Sequence, residues 1–167
     1  MGKEEQGINK QRYSVIPRTL ILLFNGDEVL LLKGAASKKR WAGKYNGLGG
    51  HIERGEDVLS AAIRELMEES GINDCELHLC GTIMCDVEEY CGVTIFVYKG
   101  QYDHSPLSSG DEGTLEWIPI ETIHQLNLVE DMCVIIPRVY AWTVGDQLFS
   151  AINSYDEDEK LVTRFYS

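Results

Sequence analysis

Apolar positions along the chain follow two different periods. Residues 19–24 and 28–33 are nearly continuous apolar runs, and they flank Asn25-Gly26-Asp27, a strong hairpin turn signal. Residues 76–88 and 93–102 read as further strands, and 114–118 as a short one. Between them the period changes: Leu59, Ala62, Ile63 and Leu66 recur at i, i+3, i+4 and i+7, the stripe of a helix packed on a core. With Asp57 as N-cap and Gly71 as the stop, the pattern predicts a helix over 57–70. Pro119 opens a brief helical segment containing Ile123 and Leu126. Residues 129–144 read as a second long helix, in which Pro137 must mark a kink or shift the start. Two last strands, 147–155 and 160–166, flank the acidic turn Asp156-Glu157-Asp158-Glu159. The polar residues 1–17 read as a tail or edge segment, and 18–167 as a single domain without linker or repeat. Strands and helices mix without strict alternation, which predicts an α+β fold built as an α/β/α sandwich.

Three carboxylates break the ordinary pattern of the first helix. Glu65, Glu68 and Glu69 lie within five residues, and at ~100° per residue they share a sector of about 100° opposite the apolar stripe. Helical neighbours of like charge repel, whereas a solvated face usually mixes its signs. A hard divalent cation such as Mg²⁺ resolves the crowding, because it binds carboxylate oxygens together with substrate phosphates. Gly49 and Gly50 allow a tight turn whose carbonyl can reach the same ion. Arg64 is suited to orient one carboxylate by paired hydrogen bonds, and Glu56 to ion-pair with Arg64. A solvated acidic face is the plainer reading of an isolated E-x-x-E-E; glycines and an arginine in register favour the metal. His51 reads as lining that site or solvated, since hard cations prefer oxygen.

Charge and composition narrow the partners. A net charge of −12 over 167 residues excludes a nucleic-acid polymer as partner, which needs Lys and Arg against its phosphates. A small phosphorylated ligand bridged by metal ions stays compatible. The concentrated basic stretch, in the loop 34–45, holds Lys38, Lys39 and Arg40 beside Trp41; it either meets phosphates or keeps the loop soluble. No apolar run reaches membrane-spanning length and the N-terminus lacks a signal-peptide pattern, so a cytoplasmic protein is expected. The five cysteines, Cys75, Cys80, Cys85, Cys91 and Cys133, form no C-x-x-C pair and read as free thiols.

Read from Gly50, the chain runs G-x5-E-x7-R-E-L-x-E-E-x-G-I, with Glu56, Arg64, Glu65, Leu66, Glu68, Glu69, Gly71 and Ile72 in the fixed places. This resembles the Nudix box, the signature of hydrolases that act on a nucleoside diphosphate linked to another group. From 19 to 166 the chain is similar to the eukaryotic-type MutT homologues, which sanitise oxidised purine nucleoside triphosphates. The resemblance implies the Nudix fold, with a mixed central sheet and a catalytic loop–helix–loop. It implies Mg²⁺, with Mn²⁺ as a substitute, held by Gly49, Glu65, Glu68, Glu69 and Glu112. It also implies a base pocket made by Thr19, Asn46, Trp117, Glu130 and Asp131. Two places depart from the subfamily: Glu130 stands for the first of two aspartates, and Trp41 is one position out of register with an aromatic of the basic loop.

The implied reaction is Mg²⁺-dependent hydrolysis of an oxidised purine triphosphate, such as 8-oxo-dGTP, to monophosphate and pyrophosphate. Glu68 or Glu112 takes the water's proton, with Glu65 and Arg64 completing the catalytic set. The same fold serves ADP-ribose, nucleotide sugars or dinucleoside polyphosphates as alternatives. Readings from other classes are a non-catalytic nucleotide-binding regulatory module and a structural calcium-binding domain; the first is disfavoured by the complete set of box glutamates. A monomer or homodimer is expected.

Overall fold

A computed structural model of the chain describes every residue except Met1, Ile8, Lys10, 38–40, 104–106, 109–111 and Ser167, and leaves the side chains of Lys3 and Glu4 undescribed. The strands are β1 (Ser14–Asn25), β2 (Glu28–Gly34), β3 (Tyr45–Asn46), β4 (Leu77–Cys85), β5 (Cys91–Gln101), β6 (Gly113–Pro119), β7 (Phe149–Tyr155) and β8 (Leu161–Tyr166). The helices are α1 (Val58–Ser70) and α2 (Met132–Ala141), with 3-10 turns at Lys3–Gln6 and Ile120–Gln125. Among the described residues the strands form one mixed sheet, in the order β3-β2-β1-β5-β4-β7-β8, with β6 pairing β2 on its other edge.

The central strands bury both faces, which is why they read as continuous apolar runs. Alternate residues of β1 divide between two cores. Leu20, Leu22 and Phe24 pack with Ile135, Ile136 and Val139 of α2. Ile21 and Leu23 pack with Ala62 and Leu66 of α1. One helix therefore covers each face, and the α/β/α sandwich follows from this division.

Local boundaries correct several expectations. β1 begins at Ser14, inside the segment read as a tail or edge segment, because residues 14–18 pair in parallel with Cys91–Ile95 of β5. Helix α1 is capped as its sequence predicts: the Asp57 side chain accepts from Leu59 and Ser60 N–H at 2.9 and 3.0 Å, and Gly71 ends the helix at φ 75°. A cap of this kind is worth about 1 kcal/mol. Its buried side is different from the expected stripe. Ala61, Ala62, Leu66, Glu69 and Ser70 are buried, whereas Leu59 and Ile63 stay 42% and 44% exposed. The two alanines let the helix lie close to the sheet, which rolls the carboxylates toward the core edge and leaves the larger aliphatics outside. Helix α2 starts at Met132 rather than near 129 and keeps Pro137 inside it. Val129 is held in the preceding loop, its N–H bonded to the Tyr45 carbonyl at 2.9 Å. The five cysteines are unpaired. No described helix is long and apolar enough to cross a membrane.

Candidate active site

The site begins with two strands that part. β1 and β2 pair only next to their turn, Leu23–Leu30 to Asn25–Glu28. Beyond it they splay, and the segment 45–51 fills the gap. Ile21 N–H donates to the Leu48 carbonyl at 2.7 Å, Thr19 N–H to the Gly50 carbonyl at 2.9 Å, and β3 adds to β2 on the other side. Glycine is required where the threaded segment meets its walls. Gly49 has φ 124°, and a Cβ there would collide with the Thr19 carbonyl. A Cβ on Gly50 would stand 2.5 Å from Glu65 Oε1.

Helix α1 faces this turn with its carboxylates. Glu69, only 5% exposed, accepts the Gly49 N–H at 2.7 Å. Glu112, just before β6, lies beside it. Burial first, then the neighbouring Glu112 and Glu65 charges, push the Glu69 carboxyl far above the usual range, against the pull of the Gly49 amide. Burial likewise raises the Glu65 carboxyl, and Arg64 opposes it.

Arg64 organises the rest. Its Nε and Nη2 grip Glu56 at 2.7 and 3.1 Å, its Nη1 touches Glu65 and Glu68 at 2.9 and 3.0 Å, and Nη2 donates to the His51 carbonyl at 2.9 Å. The expected Glu56–Arg64 pair is thus present; Arg64 holds Glu56 below the usual carboxylate range, helped by the Glu53 amide. Among the described residues no three Asp, Glu, His or Cys groups form a ready-made cluster around a common point. Their chemistry nevertheless fits a hard divalent cation: the oxygens are crowded and partly buried, and a cation would relieve the repulsion that raises the Glu65 and Glu69 carboxyls.

Several of these groups, though neither Glu56 nor Glu69, line an open cleft of about 830 Å³. Thr19, Asn46, Glu130 and Asp131 line the same cleft, as do Gly49, Arg64, Glu65, Glu68, Glu112, His51 and Trp41. Thr19 Oγ1 accepts the Gly50 N–H at 3.4 Å, and Asn46 Oδ1 accepts the Gly47 N–H at 2.9 Å. Burial raises the Asp131 carboxyl above its usual range; Asn153 opposes the shift and the Glu130 charge adds to it.

Trp117 does not join them. In β6 it pairs with Leu30 of β2 and packs against the core on the α1 side, whereas its neighbour Glu116 accepts the Tyr45 hydroxyl at 2.8 Å. A one-residue step along a strand exchanges faces, and Trp117 falls on the face away from Tyr45. Lys38, Lys39 and Arg40 lie outside the described residues.

Two lining residues escaped the sequence reading. Arg18 shares the α2-side face of β1 with Leu20, and its Nε is a buried nitrogen with no hydrogen-bond partner among the described residues. Asn153 occupies the third inward place of β7 after Phe149 and Ala151, and is 2% exposed. The signal for both was a polar residue at a buried place in a strand period.

The NUDIX domain family matches residues 15–141, and the chain belongs to the Nudix family. It is similar to the oxidized purine nucleoside triphosphate hydrolase of Danio rerio, at 36% identity over 63% of this chain and 67% of that protein. The Mus musculus protein of that name is 30% identical over 68% of this chain and 72% of its own length. Among solved structures, a MutT protein from Bacillus halodurans superposes with a TM-score of 0.74 at 25% identity, covering 90% of this chain and 97% of that one. The chain is accordingly a phosphoanhydride hydrolase with the nucleotide pyrophosphatase activity of its family.

Proposed function

We propose that the protein hydrolyses oxidised purine nucleoside triphosphates, such as 8-oxo-dGTP, to the monophosphate and pyrophosphate with Mg²⁺ as cofactor. The observation that carries this reading is the shared cleft: Asn46, Thr19, Glu130 and Asp131 line the same cavity as the carboxylates of α1. The two vertebrate relatives named for oxidised purine triphosphates support it further.

Glu65, Glu68, Glu69, Glu112 and the Gly49 carbonyl would hold the metal. When bound, the ion supplies charge neutralisation on the phosphates and a lowered pKa for water. Glu69 is fixed by the Gly49 amide and so ties the glycine turn to the helix. Arg64 keeps Glu65 and Glu68 side by side in spite of their repulsion. Glu68 and Glu112 are the members of the set most open to solvent, and the attacking water gives its proton to one of them. At the other end, an oxidised guanine carries an N–H where guanine has an acceptor. Asp131 and Glu130 offer acceptors to it, and a protonated member of the pair can donate to a base carbonyl. Arg18 brings an unused donor to the same region.

The test is release of pyrophosphate or phosphate across oxidised and normal nucleoside triphosphates, ADP-ribose, a nucleotide sugar and a dinucleoside polyphosphate, with and without Mg²⁺. The expected result is Mg²⁺-dependent pyrophosphate release that is fastest on the oxidised purines. A preference for ADP-ribose or a dinucleotide would contradict the substrate reading and keep the chemistry.

A further inference from the structure

Asp131 stands at the N-cap of α2, where an aspartate ordinarily bonds the first amides of its own helix. Here it makes no side-chain capping bond, and its carboxylate turns to the sheet instead. Asn153 Nδ2 donates to Asp131 Oδ2 at 2.8 Å and approaches Cys85 Sγ at 3.7 Å. Thr163 Oγ1, from β8, donates to Asn153 Oδ1 at 2.7 Å. The chain Thr163–Asn153–Asp131 therefore runs from the C-terminal hairpin to the cleft, through an amide that is 2% exposed.

A buried amide with both ends engaged has one orientation. The ionised Asp131 carboxylate can only accept, so it takes Nδ2, and the Thr163 hydroxyl, which rotates to suit, donates to the Oδ1 that remains and holds the amide in that orientation. An N–H donor against Oδ2 requires that oxygen to accept, so no proton can sit there. Any proton the carboxyl carries is confined to Oδ1. Ionised, Oδ1 is an acceptor; protonated, it is a donor; in both states the other oxygen is already engaged.

We propose that Asn153 and Thr163 are positioning residues that set base selectivity, by fixing which oxygen of Asp131 meets the ligand. This rests on the reading above that Asp131 contacts the base. Neither residue lies among the carboxylates of α1, and neither is required by the family's box. The competing explanation is a tie that merely holds β7 and β8 to α2. Such a tie would change stability and affect every substrate alike.

The experiment compares wild type with Asn153→Leu, Thr163→Val and Thr163→Ser, measuring kcat and KM on 8-oxo-dGTP, dGTP and the other normal deoxynucleoside triphosphates, alongside thermal unfolding. Losing one fixed polar contact should flatten base selectivity in kcat/KM by about tenfold in Asn153→Leu. Thr163→Val frees the amide to turn over and should flatten it by about threefold, and Thr163→Ser, which keeps the hydroxyl, should restore wild-type selectivity. The kcat at saturation should change much less than the selectivity. If Asn153→Leu fails to fold, the Thr163 pair decides alone. Equal losses on every base, or a Thr163→Ser variant as altered as Thr163→Val, overturn the proposal. A wild type that prefers some other base, with that preference flattened by the variants, supports the positioning role and overturns the oxidised-purine reading. A wild type with no base preference overturns both.

Discussion

The two ends of the cleft are assembled from different kinds of sequence. Among the described residues, the carboxylate end comes from one stretch, Gly49 to Glu69, joined by Glu112. The other end gathers Arg18 from β1, Asn46 from β3, Glu130 and Asp131 before α2, and Asn153 from β7, while Thr19 of β1 sits against the glycine turn between them. A helix fixes the spacing of neighbours in sequence, so one end is set by local geometry. The other depends on how far strands splay and where a loop releases a helix. Errors of one residue in register matter there, because each exchanges the face of a strand. The local end is thus the part that the box spacing fixes, and the non-local end is the part that it leaves open.

If the comparison holds, the largest effect belongs to the local end. Glu68→Gln should lower kcat by well over tenfold, roughly 1.4 kcal/mol of barrier per factor of ten. Its fold should survive, since the Glu68 side chain is mostly solvent-exposed and its contact with Arg64 is a surface i,i+4 pair. Far-UV circular dichroism and steady-state rates check both halves. Glu112→Ala comes next: kcat should fall much more than KM rises, because its carboxylate meets Glu69 rather than the far end of the cleft. A change in KM alone would move Glu112 to substrate holding.

The non-local end should respond in selectivity rather than in rate. Asp131→Asn should reduce the preference for oxidised over normal purine triphosphates by a factor equivalent to about 1–3 kcal/mol. Competition between the two substrates in one tube reads that ratio directly. Trp117→Ala serves as the contrast. Because Trp117 packs on the α1-side core, it should cost about 2 kcal/mol of stability and leave the selectivity ratio unchanged. A large loss of selectivity in this variant would return Trp117 to the base pocket.

The smallest expected effect is in pH. Burial raises the folded-state Glu69 and Glu65 carboxyls above their ordinary values. The folded protein then binds more protons than the unfolded chain at pH above about 4.5, so metal-free stability falls as pH rises toward and through neutrality. Below that range both states are protonated and the penalty is absent. Thermal unfolding without metal should therefore show a lower Tm at alkaline than at mildly acidic pH, a slope that Glu69→Gln flattens and Mg²⁺ removes.

Much of this architecture was legible from the chain. The hairpin at Asn25-Gly26, the cap at Asp57 and the stop at Gly71 are local devices, and the structure uses each of them. The box residues gave the helix and the arginine its place. What the pattern missed has a common cause. Leu59 and Ile63 satisfy the helical period yet face solvent, because Ala61 and Ala62 set the closest approach to the sheet. Residues 14–17 fell within the stretch read as a tail or edge segment, and pairing with the parallel partner β5 makes them part of β1. Trp117 was placed in the base pocket by the family resemblance, whereas its pairing with Leu30 decides its face. Asn153 and Arg18 are polar residues in buried strand positions, and their meaning depends on Asp131 and the cleft, which lie far away in the chain.

The central claim is that acidic oxygens of α1 and Glu112 bind a divalent cation for hydrolysis of a nucleotide phosphoanhydride. Its most direct test is isothermal titration of Mg²⁺ and Mn²⁺ into wild type and Glu68→Gln, in the presence of a non-hydrolysable nucleoside triphosphate analogue, paired with turnover on the parent triphosphate. Metal binding that weakens in Glu68→Gln in parallel with the loss of pyrophosphate release is the predicted result. Undiminished metal binding and turnover in Glu68→Gln, or full wild-type turnover in excess chelator, would contradict it.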